Sequence, residues 1–283
     1  MAQSITNAFV TLFDAEVKQA YQGEASLLGS VRLRQGVQGN TYKFPKLGKG
    51  SATARIPQTD VTPLNVTYSQ VTATMSDYNA AEYSDIFHQA KVNFDERQEL
   101  VQVVSKAIGR RMDQLILDGL DAASSPSTVA KTVVTSGSAT ASNLNVGKLI
   151  AAKKALDANN VPFDDRHIIV HANNLSGLLG DERAISGDFA TVKALVSGEI
   201  NTFLGFMFHV IGDRDEGGLP LSTNDRTCFA FHRSSMGMAV NMNQKTEINY
   251  VPEKTSFLVN SMFSAGAVAI DDEGIVKITC DES

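Results

Sequence analysis

The side chains that could do chemistry in this sequence are few and far apart. His167 and His171 stand four residues apart in RHIIVHA, a strand pattern that points both rings to one face of a sheet. No Asp or Glu accompanies them at the spacing of a metal site. The remaining histidines, His88, His209 and His232, occur singly. A structural role is therefore predicted for all five.

An acidic loop offers the other possible site. Asp213, Asp215 and Glu216 cluster in GDRDEGG, residues 212–218, without the spacing of a calcium loop. With His209, the two aspartates could serve a metal-assisted hydrolase, which stays open as an alternative to a solvated surface loop. The sequence has no nucleophile elbow, P-loop or dinucleotide fingerprint. We therefore predict no enzyme, with no catalytic residue, cofactor or metal.

The composition favours a folded protein made in a reducing environment. The chain has 283 residues, is 43% hydrophobic and 20% charged, and carries a formal net charge of -6. That charge argues against nucleic-acid binding by overall attraction. Cys228 and Cys280 lie far apart in the sequence and are predicted to stay reduced. No apolar run is long enough to span a membrane, and the N-terminus lacks a signal-peptide pattern.

The longest element that could position other parts is a helix predicted at residues 93–122. Asn93 followed by Glu96 has the spacing of a capping box. Apolar side chains then recur at steps of three and four residues, which defines one buried face. The charged side of this helix carries Glu96, Glu99, Arg110 and Arg111. A helix this long is predicted to act as a strut.

Two extensions precede the helix. An amphipathic helix is predicted within residues 1–30, either packed on its own domain or reaching a neighbouring subunit. Residues 31–65 are predicted to form a long hairpin, in which 41–44 pairs with 52–56 across the turn 47–50. The hairpin is basic, which suits contact with an acidic partner or a solvated sheet edge; its cationic residues are Arg32, Arg34, Lys43, Lys46, Lys49 and Arg55.

The rest of the chain alternates strands and helices. One long strand, bulged at Ser69–Gln70, is predicted to lead into the long helix. Residues 124–142, rich in Ser, Thr and Ala, are predicted as a linker with one edge strand. From residue 144, helices near 146–158, 173–180 and 190–199 alternate with strands, including two strands joined by a glycine bend in INTFLGFMFHVIGD. A series of strands closes the chain.

In this order the elements resemble the major capsid protein of tailed bacteriophages, a shell fold shared with encapsulins and the herpesvirus capsid floor. The resemblance is carried by TYKFPKLGKGSATAR in the extended loop, DERQELVQVVSKAIGRRMDQLIL in the long helix, and HIIVHANNLSGLL further on. It implies an α+β fold with four parts: an N-terminal arm at 1–30, an extended hairpin loop at 31–65, a peripheral domain at 66–143 and 226–264 with its spine helix, and an α/β axial domain at 144–225 and 265–283.

The resemblance also implies a function. Hexamers and pentamers of the chain would form an icosahedral virion shell, assembled in the host bacterial cytoplasm, around double-stranded DNA bound without sequence specificity. A separate scaffolding protein and a portal would be partners, and a membrane would not. An encapsulin-like compartment remains an alternative. The residues expected to contact neighbouring subunits are Arg32, Arg34, Lys43, Lys46, Lys49, Arg55, Glu96, Glu99, Arg110 and Arg111.

Two finer expectations concern the extended loop. Gly36 and Gly39, at its root, are candidate hinges because glycine tolerates backbone angles that other residues avoid. Some relatives crosslink covalently through a lysine of this loop. Lys43, Lys46 and Lys49 lie in the corresponding region, but none aligns with that lysine, so crosslinking is not the expected outcome here.

Overall fold

The computed structural model of the chain describes residues 22–91, 95–135, 141–180, 202–214 and 216–283. Its helices are α1 (Ile86–Gln89), α2 (Glu96–Asp121), α3 (Val146–Ala158) and α4 (Ala172–Leu179). Its strands are β1 (Arg32–Gln35), β2 (Thr41–Leu47), β3 (Tyr68–Thr74), β4 (Ser76–Asp85), β5 (Ser127–Val129), β6 (Arg166–His171), β7 (Thr202–Phe203), β8 (Phe206–Ile211), β9 (Leu221–Ser222), β10 (Asp225–His232), β11 (Met236–Val251), β12 (Ser256–Ala269) and β13 (Ile275–Asp281). No described helix is long and apolar enough to cross a membrane.

The predicted spine helix is present as α2, with 26 residues. Its N-cap is Asp95, whose carboxylate accepts the backbone N–H of Arg97 at 3.1 Å; Asn93, the predicted cap, lies outside the described residues. At about 1.5 Å per residue the helix is roughly 39 Å long. The apolar face forms as predicted, with buried side chains at Val104, Ile108, Met112, Ile116, Leu117 and Leu120.

A four-stranded sheet packs against α2 in the strand order β1-β11-β12-β4. Phe263 of β12 is fully buried and stacks on Tyr78 of β4, with ring centroids 5.2 Å apart. Gly119 of α2 faces this sheet, where an added Cβ would collide with the terminal methyl group of Met236 and touch the backbone of Ala267 at 3.4 Å. Glycine at this position therefore allows the helix to approach the sheet closely.

The second sheet has seven strands, in the order β5-β13-β10-β6-β8-β7, with β9 paired to β10. Every residue of β6 is buried, as its apolar run predicts. The predicted bend between β7 and β8 is formed by Leu204 and Gly205, both at positive φ. The predicted edge strand exists as β5, parallel to β13. One apolar core joins α2, both sheets and α3, and the helix predicted at 190–199 lies outside the described residues.

The strand pairing does not follow the boundary predicted before residue 226. The prediction groups residues 226–264 with the spine helix, whereas β10 lies between β13 and β6 in the seven-stranded sheet. Its central residues, Cys228 to Phe231, are buried, and a strand buried on both faces belongs in the middle of a sheet. Conversely, residues 265–269 are predicted in the axial domain but belong to β12, which continues to Ala269 within the four-stranded sheet.

The predicted hairpin is also corrected. β2 pairs with β3, with Phe44 opposite Val71, and not with residues 52–56. Residues 48–67 join the two strands without a regular strand of their own. Alternation at 52–56 was misleading because Ala side chains bury little apolar area, so nothing holds that segment in a sheet. We call the β2–β3 pair the ribbon and residues 48–67 its tip.

The long strand predicted before the spine helix is two strands. The break is at Met75, which is buried, and not at Ser69–Gln70. β3 belongs to the ribbon, whereas β4 pairs with β12 in the four-stranded sheet. The chain therefore changes sheets at this point. The amphipathic helix expected before residue 22 lies outside the described residues.

Candidate assembly surfaces

A buried carboxylate on the spine helix binds the root of the N-terminal segment. Asp113 has no exposed surface, and its oxygens accept the backbone N–H groups of Ser26 and Leu27, both at 3.1 Å. The guanidinium of Arg214 donates to the same carboxylate at 3.3 Å. Burial raises the pKa of Asp113, while these hydrogen bonds and the arginine act in the opposite direction. We call this arrangement the arm clasp.

Sequence reasoning missed the arm clasp, although a signal was present. Asp113 lies four residues after Gly109 and four before Leu117, on the apolar face of the helix. An acid on a buried helical face needs partners, because an unpaired buried charge is costly. Gly109 contributes to the close approach, since an added Cβ would lie 3.2 Å from the Cβ of Ala25.

The two arginines predicted to contact a neighbouring subunit have partners within the chain. Arg110 donates to the side-chain oxygen of Gln22 at 3.1 Å. Arg111 donates to Glu216 at 3.2 Å, and its guanidinium lies 4.4 Å from the ring centroid of Tyr78. These contacts support the acidic loop, residues 212–218, and the root of the N-terminal segment, residues 22–27, which we call the arm root. An intersubunit role for either arginine stays a prediction.

The two glutamates at the start of the spine helix lie half-buried. Glu96 accepts a hydrogen bond from the hydroxyl of Ser84 at 2.7 Å and so joins the helix to the end of β4. Glu99, about one helical turn further along, is also half-buried. Both carry negative charge in the first turn, where it is favoured by the helix dipole. Their predicted contact with a neighbour stays a prediction.

Five of the six basic residues predicted in the extended loop separate into two groups. Arg34, Lys43 and Arg55 are exposed. Lys46 and Lys49 instead reach residues 271–273, which we call the acidic turn. Lys46 Nζ lies 2.8 Å from Asp271 Oδ1, and Lys49 Nζ lies 2.6 Å from Glu273 Oε2.

Arg32, the remaining basic residue of this region, is exposed and stands over the ring of Phe44 at 5.9 Å from its centroid. A cation at this distance from an aromatic face is weakly attracted to it. The structure therefore brings three of the six predicted cations into contacts within the subunit: Arg32 with the ring of Phe44, and Lys46 and Lys49 with the acidic turn. It leaves the other three on the surface.

The acidic loop is bound to the end of the seven-stranded sheet. Asp213 Oδ1 lies 3.0 Å from His171 Nε2 and 3.4 Å from the guanidinium of Arg226. Arg226 also donates to Glu282 at 2.7 Å, so these charges connect the ends of β6, β10 and β13. His171 additionally accepts the backbone N–H of Asn173 at the start of α4. Asp215 lies outside the described residues.

His167, the other histidine of RHIIVHA, contacts His209, which has no other histidine near it in the sequence. His167 Nδ1 and His209 Nε2 are 3.0 Å apart on the adjacent strands β6 and β8. Burial, and secondarily the neighbouring His209, lowers the pKa of His167 to about 4, and burial lowers the pKa of His209. Both rings are therefore neutral near pH 7, where one can donate a hydrogen bond to the other.

The cysteines are free, as predicted, and both are buried. They lie on neighbouring strands, with Arg226 opposite Cys280 and Cys228 opposite Ile278. The Cys228 thiol donates to Asn174 Oδ1 at 3.3 Å. The hydrogen bond with Cys280, together with burial, raises the pKa of Cys228 well above its usual range, so this thiol stays protonated and unreactive at neutral pH.

Among the described residues, no group of three or more His, Cys, Asp or Glu side chains could hold a metal ion.

The likeness of the chain to known proteins identifies its family. The family model described as phage capsid protein matches residues 5–282. The chain belongs to the phage capsid protein family. Forming the capsid shell is the function that this family carries, and neither the compartment nor the hydrolase alternative is favoured.

Solved structures share the fold over the full length of the chain. A chain from the head of Helicobacter pylori bacteriophage KHP40 superimposes with a TM-score of 0.79 at 11% identity, covering 99% of both chains. The acidic stable capsid of Helicobacter pylori bacteriophage KHP30 gives 0.77 at 12% identity, with coverage of 99% and 98%. The capsid of cyanophage P-SCSP1u gives 0.73 at 15% identity, with coverage of 100% and 96%. No curated protein sequence matches.

Proposed function

We propose that this capsid protein assembles with itself into the pentamers and hexamers of an icosahedral shell that encloses double-stranded DNA in a phage virion. The observation that carries this proposal is the extent of the family match, residues 5–282 of 283. A scaffolding protein and a portal would act as partners during assembly in the host cytoplasm. The role is structural, with no catalytic step.

The ribbon tip supports self-assembly because it exposes apolar side chains. Ile56, Val61 and Leu64 are 64%, 90% and 56% exposed. Apolar surface presented together on an extended segment marks an interaction site, because burying it against another protein is favourable. We expect these three side chains to pack on a neighbouring subunit.

Charge supports the same arrangement. Arg34, Lys43 and Arg55 are exposed on or near the ribbon, whereas the chain as a whole has a net charge of -6. A basic extension of one subunit is therefore attracted to the acidic surface of the next. Each exposed ion pair contributes only about 0–1 kcal/mol, but in a closed lattice every subunit repeats the contact, and linked contacts strengthen one another.

Negative-stain electron microscopy of the purified protein tests the proposal. We expect uniform shells, and particles purified from infected cells should contain nuclease-protected DNA. Small particles of uniform size would contradict the proposal, and shells that contain protein cargo without DNA would favour the compartment alternative. Unchanged function after Asp213→Ala would exclude the hydrolase alternative.

A variant of the tip links the test to the structure. Replacing Ile56, Val61 and Leu64 together by Ser should leave the circular dichroism spectrum unchanged and abolish shell formation. The matched control replaces Thr53, Thr59 and Thr62 by Ser in the same segment, which removes little apolar area. Shells of normal yield from the apolar variant would show that the tip does not carry the contact.

A further inference from the structure

The ribbon is attached to the subunit through a small apolar cluster of its own. Phe44 and Ala73 of the ribbon pack with Val37, Met75, Ala239 and Ile270, apart from the main core. Phe44 lies against Gly237, where an added Cβ would be 2.8 Å from both the Phe44 ring and Ile270. Apolar contact is favourable without being directional. The cluster therefore holds the ribbon as far as Phe44 and Ala73, and leaves its outer end, from Lys46 to the tip, outside the apolar contact.

The chain that enters the ribbon also leaves its direction open. Gly36 and Gly39 have φ of +69° and +105°, which favour glycine. An added Cβ at either position would meet nothing within 4 Å, and the side chain of Asn241 contacts this stretch through a hydrogen bond to the carbonyl of Gly39 at 3.3 Å. Few backbone hydrogen bonds join this stretch to the body, among them Val37 N–H to the carbonyl of Val240 at 3.2 Å.

The acidic turn, in contrast, is held firmly by the body of the subunit. The backbone N–H groups of Ile270 and Asp271 both donate to the carbonyl of Ser235, at 2.7 and 3.2 Å. Asp272 accepts the backbone N–H of Ser125 just after the spine helix, at 2.9 Å. Asn159, at the end of α3, donates to the carbonyl of Glu273 at 2.8 Å. The turn therefore bonds to three separate parts of the fold.

The two lysines of the ribbon reach this firm turn from the face that carries Phe44. Lys46, which is paired with Ser69 in the ribbon, shares that face with Phe44 because side chains alternate along a strand. Its ammonium group pairs with Asp271. Lys49, where the tip begins, pairs with Glu273. Ile270 and Asp271 are adjacent, so one short segment supplies both the apolar support and the counter-charges.

We infer that Asp271 and Glu273 are positioning residues for the extended loop, because their ion pairs with Lys46 and Lys49 set the direction of the ribbon in the unassembled subunit. The cluster around Phe44 supplies the attachment, and the pairs select one orientation among those that the cluster permits. The consequence for shell formation rests on the proposed function. The orientation itself is a property of the free subunit.

Distance measurement between two spin labels tests the inference on the full chain. Thr53→Cys places one label on the tip and Lys154→Cys places the other on α3, where both side chains are exposed; the native cysteines are buried and so protected from labelling. Double electron–electron resonance should give a narrow distance distribution at about 0.01 M salt. It should broaden at about 1 M salt, where the screening length falls to about 3 Å.

Substitutions separate the ion pairs from the turn itself. Lys49→Glu should broaden the distribution at low salt, and Lys49→Glu combined with Glu273→Lys should make it narrow again. Asp271→Asn removes the charge but keeps an oxygen that can accept the N–H of Glu273, the bond that Asp271 now makes at 3.1 Å; it should also broaden the distribution. Lys43→Glu is the control, because Lys43 is exposed on the opposite face of β2.

The outcomes decide the inference in either direction. A distribution unaffected by salt, by Lys49→Glu and by Asp271→Asn would overturn it, and so would failure of the charge exchange to restore a narrow distribution. Assembly of the unlabelled variants provides a second readout, with shells lost in Lys49→Glu and recovered in the exchanged pair. If wild-type protein forms no shells, the proposed function fails while the distance result stands.

Discussion

The N-terminal segment and the ribbon are two extensions that are attached to the body of the subunit by different means. We call the contacts of the ribbon with the body the ribbon root, namely the cluster around Phe44 and the ion pairs of Lys46 and Lys49. At the arm root, Asp113 is fully buried and binds two backbone N–H groups and Arg214. At the ribbon root, Lys46 and Lys49 keep 36% and 76% of their side-chain surface exposed while they pair with the acidic turn. The polar contacts of the arm root are therefore shielded from water, whereas the ion pairs that orient the ribbon are in contact with water.

This difference has a large energetic consequence. Removing one partner of a buried charge pair costs about 3–5 kcal/mol, because the remaining charge stays desolvated. An exposed ion pair contributes about 0–1 kcal/mol and weakens with salt. The arm root is thus part of the stable subunit. The ribbon root can be reoriented at little cost, which suits an extension that must fit different neighbours in a curved shell.

The largest effect is expected at the arm root. Asp113→Ala should lower the free energy of unfolding by about 4 kcal/mol, because it leaves Arg214 and two backbone N–H groups without their acceptor. Denaturant titration followed by circular dichroism measures the loss. The control is Asp118→Ala on the exposed side of the same helix, which should change stability by about 0.5 kcal/mol or less. A loss at Asp113 as small as that at Asp118 would remove the contrast between the two roots.

A smaller and more local effect is expected at the ribbon root. Phe44→Ala should lower the free energy of local opening of β2 and β3 by about 3 kcal/mol, since it removes the central side chain of their cluster. Amide hydrogen exchange measures opening strand by strand, and α2 should keep its protection. Phe44→Leu, a smaller change in volume, should cost about 1.5 kcal/mol or less. Equal loss of protection in α2 would mean that ribbon and helix unfold as one unit.

The sequence predicted elements whose signal is local. The stripe of apolar residues predicted α2, the alternation and apolar run predicted β6 and β8, and Pro126 marked the end of the spine helix to within a few residues. The partner of β2 was mispredicted because alternation shows which face of a strand is buried and not which strand lies beside it. A nearby alternating segment, 52–56, was chosen over the true partner at 68–74.

The candidate surfaces were predicted less completely, for a related reason. The basic residues were identified from composition, but the counter-charges of Lys46 and Lys49 lie more than two hundred residues away at Asp271 and Glu273. Only the folded chain brings them together. Asp113 was open to prediction from its place on the apolar face, whereas Arg214 was not, because it lies 101 residues further along the chain.

The smallest predicted effect is a dependence of stability on pH. At the arm root it comes from the burial of an acid, and at the ribbon root it comes from an exposed ion pair. Burial raises the pKa of Asp113 above its ordinary value of 3.8, so the folded protein binds this proton at pH values where the unfolded chain has released it. The contribution of Asp113 to the free energy of unfolding therefore falls as pH rises between the two pKa values. Asp113→Asn should lack this dependence. The stability of wild type relative to this variant should fall by at most about 1.4 kcal/mol per pH unit, as measured by denaturant titration from pH 3.5 upward.

At the ribbon root the sensitive range lies at alkaline pH. The hydrogen bond and charge of Glu273 raise the pKa of Lys49 above 10.5, so the pair stabilises the ribbon below that value and is lost as pH rises through the raised pKa. The same titration with Glu273→Gln should remove the alkaline change and leave the acidic one intact. If the stability of wild type relative to Asp113→Asn instead rises with pH, Arg214 outweighs burial at the arm clasp. The two roots would then differ in exposure but share one mechanism, the stabilisation of a charge by its opposite.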